Sequence, residues 1–373
     1  MTEIEIGRAK RARPAYSLDD IAIVPSRRTR DPELVSVAWR IDAYAFETPV
    51  LAAPMDSVVS PATAIEIGRL GGLGVLDLEG VWTRYDDPQP LLDEVAALAA
   101  DRVIPRLQEI YAAPIRADLI ASRIAEIRAG GVTVAAALSP ARTAQFAKTV
   151  VDAGVDLFVI RGTTVSAEHV ARDGAAEPLN LKQFIYELDV PVIVGGCATY
   201  QAALHLMRTG AAGVLVGFGG GAAHTTRDVL GVSVPIASAI ADVAAARRYY
   251  LDESGGRYVH VIADGGVGRS GDLPKAIACG ADAVMLGSPL ARATEAPGRG
   301  YHWGIEATHD ELPRGERVHL GQVGSLAEIL HGPSRTADGT MNLVGALRRA
   351  MATTGYSDLK EFQRIEIVVT PAR

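Results

Sequence analysis

The feature that most constrains the fold is a repeated unit in which a helix-like segment ends at a glycine and an apolar run follows. Three copies stand out: Gly154-Val-Asp156, Gly210-Ala-Ala212 and Gly280-Ala-Asp282. A glycine stop after each helix and a buried strand after each glycine is the alternation that produces a parallel sheet. The apolar runs predict eight strands, at residues 49–57, 71–77, 133–138, 156–160, 192–195, 213–216, 259–263 and 283–287.

These strands favour a closed (β/α)8 TIM barrel over an open doubly wound sheet, because no dinucleotide-binding glycine fingerprint follows the first strand. No linker rich in Pro, Gly and Ser divides the chain. We therefore expect a single barrel domain over residues 1–373, with a charged N-terminal arm at 1–15. Helices are predicted at residues 61–70, 90–100, 117–129, 140–153, 179–188, 199–209, 234–247 and 271–279.

A glycine-rich loop from Gly217 to Arg227 directly follows the apolar run 211–216. Four of the five residues from Gly217 to Gly221 are glycines, so the backbone can present amides and carbonyls to a ligand or ion without obstruction by Cβ atoms. A barrel places its active site at the carboxyl ends of its strands, which is where this loop begins. The loop is therefore a candidate binding site, although a glycine-rich turn without chemistry has the same composition.

Composition excludes several classes of function. The net charge of −7 argues against nonspecific nucleic-acid binding, since a phosphate backbone is normally met by a basic face. The two cysteines, Cys197 and Cys279, are too far apart in sequence to suggest a disulfide framework or a zinc cluster. No apolar run is long enough to span a bilayer, and the charged start lacks a signal-peptide core. We expect a cytoplasmic protein without membrane partners.

Two consecutive late strands end in small residues that suit a phosphate. Asp264-Gly-Gly266 follows one of them and Gly287-Ser288 follows the other, so their backbone amides converge where late barrel strands commonly bind phosphate. Asp264 beside this cradle suits a ribose diol, because an ionised carboxylate accepts hydrogen bonds from two hydroxyls. The alternative interpretation is that these two segments are tight turns that bind no ligand.

Together these motifs resemble the IMP dehydrogenase and GMP reductase family. The resemblance runs over nearly the whole chain. It implies a homotetramer that binds a purine nucleotide (IMP, GMP or XMP) and NAD or NADP. The segment 78–131 is too short for the paired CBS modules that many dehydrogenases of the family carry, so no CBS insertion is expected. The motifs are Ser17-Leu-Asp-Asp20, Pro54-Met-Asp-Ser-Val58, Gly71-Gly-Leu-Gly74, Gly217 to Arg227, Ala263-Asp-Gly-Gly266 and Gly280 to Ser288.

The resemblance also implies roles for individual residues. Asp264 matches the ribose-binding aspartate and Met55 a residue that contacts the base. Tyr301 matches a tyrosine that closes on the phosphate. The phosphate cradle corresponds to Gly266, Gly287 and Ser288. A potassium ion is implied at backbone carbonyls of the glycine loop, contributed by Gly219, Gly221 and His224.

The chain departs from the family at positions that matter for chemistry. The loop cysteine whose thiolate attacks the purine is replaced by His224, and imidazole is a poor substitute for a polarizable thiolate. A phosphate-side serine is Ala222. The aspartate that holds the nicotinamide ribose corresponds to Arg161, a cation that suits an anionic group such as a phosphate of NADP. The segment 301–321 is too short for the dehydrogenases' mobile flap and lacks its arginine-tyrosine pair.

Two features match the reductases of the family. Thr226 fits their catalytic threonine and Glu306, five residues after Tyr301, fits the spacing of their catalytic glutamate. A threonine and a glutamate can relay a proton to departing ammonia. A solvated surface glutamate is the competing interpretation of Glu306. Cys197, just after a strand, is a weaker candidate for a thiol supplied from another wall, because small buried cysteines are common.

Three hypotheses follow. The first is a purine-nucleotide oxidoreductase using NAD(P), more reductase-like than dehydrogenase-like, with His224, Thr226 and Glu306 as candidate catalytic residues and altered chemistry. The second is a catalytically inactive nucleotide-binding or regulatory protein. The third is an FMN-dependent barrel oxidoreductase, against which the motifs at Ser17 to Asp20 and Pro54 to Val58 already count.

Overall fold

The computed structural model describes residues 3–166, 179–217, 220–309 and 311–370. Eight parallel strands form a closed barrel in which each strand pairs with its neighbours in sequence and the last pairs with the first. This confirms the predicted (β/α)8 architecture. The strands are β1 (Val50–Ala52), β2 (Leu73–Asp77), β3 (Ala135–Leu138), β4 (Leu157–Arg161), β5 (Val192–Cys197), β6 (Gly213–Val216), β7 (His260–Asp264) and β8 (Ala283–Leu286).

The strands are buried along nearly their whole length, because helices cover the outside of the barrel and side chains fill its interior. The glycine stops work as the sequence predicts: Gly154, Gly210 and Gly280 have φ angles of +90°, +98° and +115° after their helices. Such angles favour glycine. The helices of at least six residues are Pro61–Arg69, Gln89–Ala97, Ala100–Tyr111, Ala117–Ala129, Pro140–Asp152, Leu181–Tyr186, Tyr200–Arg208, Ile236–Glu253, Asp272–Ala278, Leu326–His331 and Leu343–Thr353.

Three of these helices were not predicted from the sequence: Ala100–Tyr111, Leu326–His331 and Leu343–Thr353. Ala100–Tyr111 contains Pro105, which argues against a helix interior. Its apolar residues Val103, Leu107 and Ile110 nevertheless recur at helical spacing and are buried in a second apolar cluster with Trp303. Burial of this face outweighs the proline.

Short elements decorate the barrel. The N-terminal arm contains a two-stranded antiparallel ribbon, Ile4–Gly7 with Lys10–Ala12, and the C-terminal strand Ile367–Val369 pairs with Ile21–Ile23. Further two-residue or three-residue strands and short helices lie at Trp39–Ile41, Tyr44–Phe46, Tyr301–His302, Val318–His319, Thr226–Leu230, Ser288–Ala291 and Leu359–Phe362. Among the described residues, no helix is long and apolar enough to cross a membrane.

A buried carboxylate ties the amino-terminal end of β8 to its surroundings. Asp282 is 3% exposed, and it accepts hydrogen bonds from Arg247 at 2.8 Å, Lys360 at 2.5 Å and the amide of Val261 at 2.8 Å. Burial would raise the pKa of Asp282, but the cations of Arg247 and Lys360, with His260, outweigh it and hold the pKa at about 2. Asp282 therefore connects three elements through hydrogen bonds: the long helix Ile236–Glu253, β7 and the short helix Leu359–Phe362.

We predict that Asp282→Asn lowers the free energy of unfolding by about 3 kcal/mol, because the buried guanidinium of Arg247 loses its counter-charge. Urea unfolding near neutral pH measures this. Since the folded pKa of about 2 lies below the reference value of 3.8, the stabilisation is present above that reference and is lost as pH falls through the folded value. The difference in free energy of unfolding between wild type and variant should therefore become smaller as pH falls from about 5 to about 2.

Asp152→Asn is the matched control, since Asp152 forms an exposed ion pair with Lys148 at 2.6 Å. Exposed pairs contribute little to stability. An Asp282→Asn variant as stable as this control would contradict the assignment of Asp282 as a structural anchor.

Candidate functional site

A cavity of about 390 Å³ opens at the carboxyl ends of the barrel strands. Its walls come from the loop after β1, the end of β4, the glycine loop after β6, the loops after β7 and β8, and the segment around residue 302–306. The structure thus gathers most of the predicted site residues in one place. Those lining the cavity are Met55, Arg161, Gly221, His224, Thr226, Asp264, Gly266, Gly287, Ser288 and Glu306.

His224 and Glu306 form the central pair of this cavity. Nδ1 of His224 lies 3.3 Å from Oε2 of Glu306, and the two side chains are only 14% and 12% exposed. The contact has the distance of an ion pair, but its alignment is not that of a hydrogen bond, and Oε2 is a buried acceptor without a hydrogen-bond donor. Apo geometry of this kind is common for acid–base pairs, which tighten when a ligand binds. The pair can hold and pass a proton.

Glu306 is not the solvated surface glutamate of the competing interpretation. Burial would raise its pKa, but His224 and Arg161 more than compensate and bring it below the usual value. The hydroxyl of Thr163 donates to Oε1 of Glu306 at 3.4 Å. Glu306 is therefore held ionised beside the imidazole.

Arg161 lies at the end of β4 among carboxylates. Its Nε is 3.8 Å from Oδ2 of Asp264. Burial disfavours its charge, but Asp264, Glu306 and Asp77 together raise the pKa of the guanidinium above its usual value. In the opposite sense, burial raises the pKa of Asp264 even though Arg161 and His224 act to lower it. Arg161 thus neutralises the acidic side chains of the cavity.

The glycines of the site are needed where chain segments approach closely. Gly217 has φ of +122°, and a Cβ there would lie 2.4 Å from the carbonyl oxygen of Asp264. A Cβ on Gly287 would lie 3.2 Å from the imidazole of His302 and 3.3 Å from the sulfur of Met55. Side chains at these positions would displace the wall of the cavity, so glycine keeps it open.

The glycine loop is held from outside by the segment 314–316. The amide of Thr225 donates to the carbonyl of Arg314 at 2.8 Å, and the amide of Glu316 donates to the carbonyl of Ala223 at 3.1 Å. His224 and Gly315 form an isolated antiparallel bridge between these bonds. The connection that is too short for a mobile flap therefore clamps the loop that carries His224.

Some predicted residues are not brought into the cavity. Tyr301 does not line it; its ring instead packs 4.3 Å from the guanidinium of Arg317 and 4.7 Å from the ring of His319. Gly219 lies outside the described residues. Gly221 lines the cavity, and its carbonyl already accepts the amide of His224 at 3.1 Å.

Neither cysteine offers a thiol to the site. Cys197 is 1% exposed, its sulfur contacts the carbonyl of Leu215 at 3.4 Å, and burial raises its pKa to about 12. Burial likewise raises the pKa of Cys279 to about 11. Both behave as small apolar residues.

His302 is one of the cavity-lining residues that the sequence analysis did not predict; Thr163 and Arg269 are others. His302 lines the same cavity and is 2% exposed, and its Nδ1 lies 2.9 Å from the hydroxyl of Ser57. Its spacing from other histidines gave no metal-binding pattern. The available signal was its place next to Tyr301 and four residues before Glu306, in a segment already assigned to the site.

Comparison with known proteins relates the whole chain to one family. The family model for the IMP dehydrogenase / GMP reductase domain matches residues 15–304. A protein of Mycolicibacterium smegmatis called an uncharacterized oxidoreductase is 56% identical over 98% of this chain and 99% of its own length. The inosine-5'-monophosphate dehydrogenase of Methanocaldococcus jannaschii is 26% identical over 97% of this chain and 94% of its own length.

A solved structure has the same fold over its whole length. The crystal structure of an IMP dehydrogenase/GMP reductase-like protein from Corynebacterium glutamicum is 50% identical to this chain and superposes with a TM-score of 0.94, covering 99% of this chain and 98% of the other. With the family model matching well over half of the sequence, the chain belongs to the IMP dehydrogenase/GMP reductase family.

Proposed function

We propose that this protein is a purine-nucleotide oxidoreductase with a reductase-like arrangement, in which a histidine–glutamate pair replaces the nucleophilic cysteine of the family. The observation that carries the proposal is the contact of 3.3 Å between His224 and Glu306 inside the cavity that also contains Asp264. If the cysteine had simply been lost, the residue in its place would not be expected to have a partner in the cavity. Here the replacing residue, His224, contacts the carboxylate of Glu306.

The nucleotide would be held along the β7 and β8 side of the cavity. Backbone amides after these strands, at Gly266, Gly287 and Ser288, suit a phosphate. Asp264 accepts hydrogen bonds from the ribose hydroxyls. The thioether of Met55 offers a polarizable surface to the purine ring. These assignments follow the family resemblance and are supported by the shared cavity.

The proton chemistry would fall to three side chains. Thr226 is 2% exposed and lines the cavity, close in sequence to His224. In a reductive deamination, departing ammonia takes up a proton, and Glu306, Thr226 and His224 are the groups placed to hold it. A bound nicotinamide supplies the hydride. Imidazole acts here as an acid and base and not as a nucleophile.

The nicotinamide cofactor would lie against Arg161, Gly162 and Thr163, which line one wall of the cavity. Since the guanidinium of Arg161 is already surrounded by Asp264, Glu306 and Asp77, we propose that it orients the site and neutralises charge, with a phosphate of NADP as the alternative ligand. Whether NAD or NADP is used is decided by assay. The potassium site and the homotetramer remain predictions, tested by activity in potassium against sodium salts and by light scattering.

A second candidate is a nucleotide-binding protein that regulates or joins another enzyme. The observation in its favour is that no thiol lines the described part of the cavity, while the binding residues are retained. The FMN-dependent alternative predicts a yellow protein. A colourless preparation that takes up no FMN removes it.

We predict that IMP, GMP or XMP stabilises the protein against heat, by about 2.7 kcal/mol at a nucleotide concentration one hundred times Kd. Asp264→Asn should weaken binding at least tenfold, because the variant loses the negative charge and replaces one of the two acceptor oxygens by a donor amide nitrogen. Thermal-shift titration measures both effects. Asp152→Asn serves as a surface control and should bind as wild type does. No stabilisation by any of the three nucleotides would overturn the proposal.

We predict that Glu306→Gln and His224→Asn each lower kcat about 100-fold or more, with smaller changes in KM, because proton transfer is lost while nucleotide binding is kept. The assay follows the absorbance of the reduced nicotinamide with each purine nucleotide. Cys197→Ser and treatment with iodoacetamide should leave turnover unchanged. Loss of activity on alkylation would contradict a cysteine-independent mechanism, and binding without turnover in wild type would favour the regulatory candidate.

A further inference from the structure

His302 places a second imidazole against the deep end of the cavity. A Cβ on Gly287 would meet Cε1 and Nε2 of His302 at 3.2 Å, so this edge of the ring faces the cavity wall beside the sulfur of Met55. The opposite nitrogen, Nδ1, is turned toward Ser57, which is fully buried. One ring nitrogen is thus held by the protein, and the other lies on the side of the ring next to Gly287 and Met55, both of which line the cavity.

The contacts of Ser57 fix the tautomer of this imidazole. Its hydroxyl oxygen lies 2.9 Å from Nδ1 of His302 and 3.3 Å from the carbonyl of Trp303, and it accepts the amide of Trp303 at 3.3 Å. If the hydroxyl proton goes to the carbonyl, His302 donates from Nδ1 and all three contacts are hydrogen bonds. If the proton goes to Nδ1, the carbonyl contact is lost. Buried polar groups favour the fully bonded arrangement, which leaves a lone pair on Nε2.

The surroundings keep this imidazole neutral. Burial is the main cause that lowers the pKa of His302 to about 3, and the neighbouring His224 and Arg161 act in the same direction. His302 therefore differs from His224, which faces the carboxylate of Glu306. Near neutral pH, Nε2 is an acceptor.

Met55 connects the two imidazoles. Its sulfur lies beside the Gly287 and His302 wall, and its terminal methyl lies beside Gly304, where a Cβ would also meet His224 at 2.9 Å. A purine ring stacked on this thioether would have both imidazoles beside it. The phosphate and ribose of such a nucleotide would lie toward β7 and the loop after β8, as proposed above.

We infer that Nε2 of His302 accepts a hydrogen bond from the N1–H group of a 6-oxopurine nucleotide, and so selects this class against adenine nucleotides. Adenine presents a lone pair at N1, which would be repelled by the lone pair on Nε2 and leave both unpaired. The inference rests on the proposed function, because it assumes that a purine nucleotide occupies the cavity. In this inference, His302 is the residue that distinguishes one purine base from another.

The first arm of the test concerns the free protein. Long-range ¹H–¹⁵N correlation spectra of histidine-labelled protein should show His302 as the neutral tautomer protonated at Nδ1, and Ser57→Ala should change its tautomer signature. A ring protonated at Nε2 in wild type would overturn the inference. This arm needs no ligand or activity.

The second arm measures affinity by calorimetry for IMP, 1-methyl-IMP, AMP and ribose 5-phosphate. Wild type should bind IMP about tenfold more tightly than 1-methyl-IMP or AMP, the ratio expected for one base-reading hydrogen bond. His302→Phe should remove the preference for IMP without changing the affinity for ribose 5-phosphate. His302→Gln, which can supply an acceptor oxygen, should retain part of the preference. The surface variant His331→Phe is the control.

The outcomes separate the two claims. A His302→Phe variant that keeps the full preference for IMP overturns the inference but leaves the proposed function intact. If His302→Phe loses affinity equally for IMP and for ribose 5-phosphate, the inference is also overturned, since His302 would then contact the sugar or phosphate. If wild type binds none of the purine nucleotides, the proposed function fails, and the reading of the base by His302 fails with it.

Discussion

Compensation of carboxylates at the carboxyl ends of the barrel strands is the constraint on which the site depends. Asp264 and Glu306 are largely buried there, where isolated carboxylates would be costly. The guanidinium of Arg161 lies 3.8 Å from Asp264, and the imidazole of His224 lies 3.3 Å from Glu306. The two departures from the family pattern are therefore linked physically, because each replacement brings a group that complements a neighbouring acid.

The glycine loop that carries His224 is held by contacts on two sides. The His224 loop is bonded to the segment 314–316 on one side, while Gly217 packs against the backbone of Asp264 on the other. A side chain whose loop is held on both sides loses little conformational entropy when it meets a ligand. In the dehydrogenases that the chain resembles, the corresponding connection is expected to be a mobile flap. Here the shorter connection instead fixes the position of the imidazole.

The barrel was predictable because parallel strands are buried on both faces and appear as short apolar runs after glycine stops. The cavity lining was predictable for residues that directly follow strands, such as Asp264 and Gly287. The helix Ala100–Tyr111 was missed because the local effect of Pro105 was outweighed by burial of its apolar face.

Other features depend on contacts between distant segments, which no local pattern reports. The clamp joins residues about ninety positions apart, and the bond between Ser57 and His302 spans 245 positions. Tyr301 illustrates the converse: its sequence position matches a phosphate-contacting residue, but its ring packs against Arg317 and His319. Residue identity and spacing place a side chain near a site, and tertiary packing decides where it points.

The measurement that tests the central claim most directly is a crystal structure of the protein with IMP. The proposed function predicts the phosphate at the amides of Gly266, Gly287 and Ser288, the ribose on Asp264, and the base on Met55 with its reactive edge toward His224 and Glu306. A nucleotide bound with its phosphate against His224, or bound outside the cavity, would contradict the assignment of this pair as the acid–base centre.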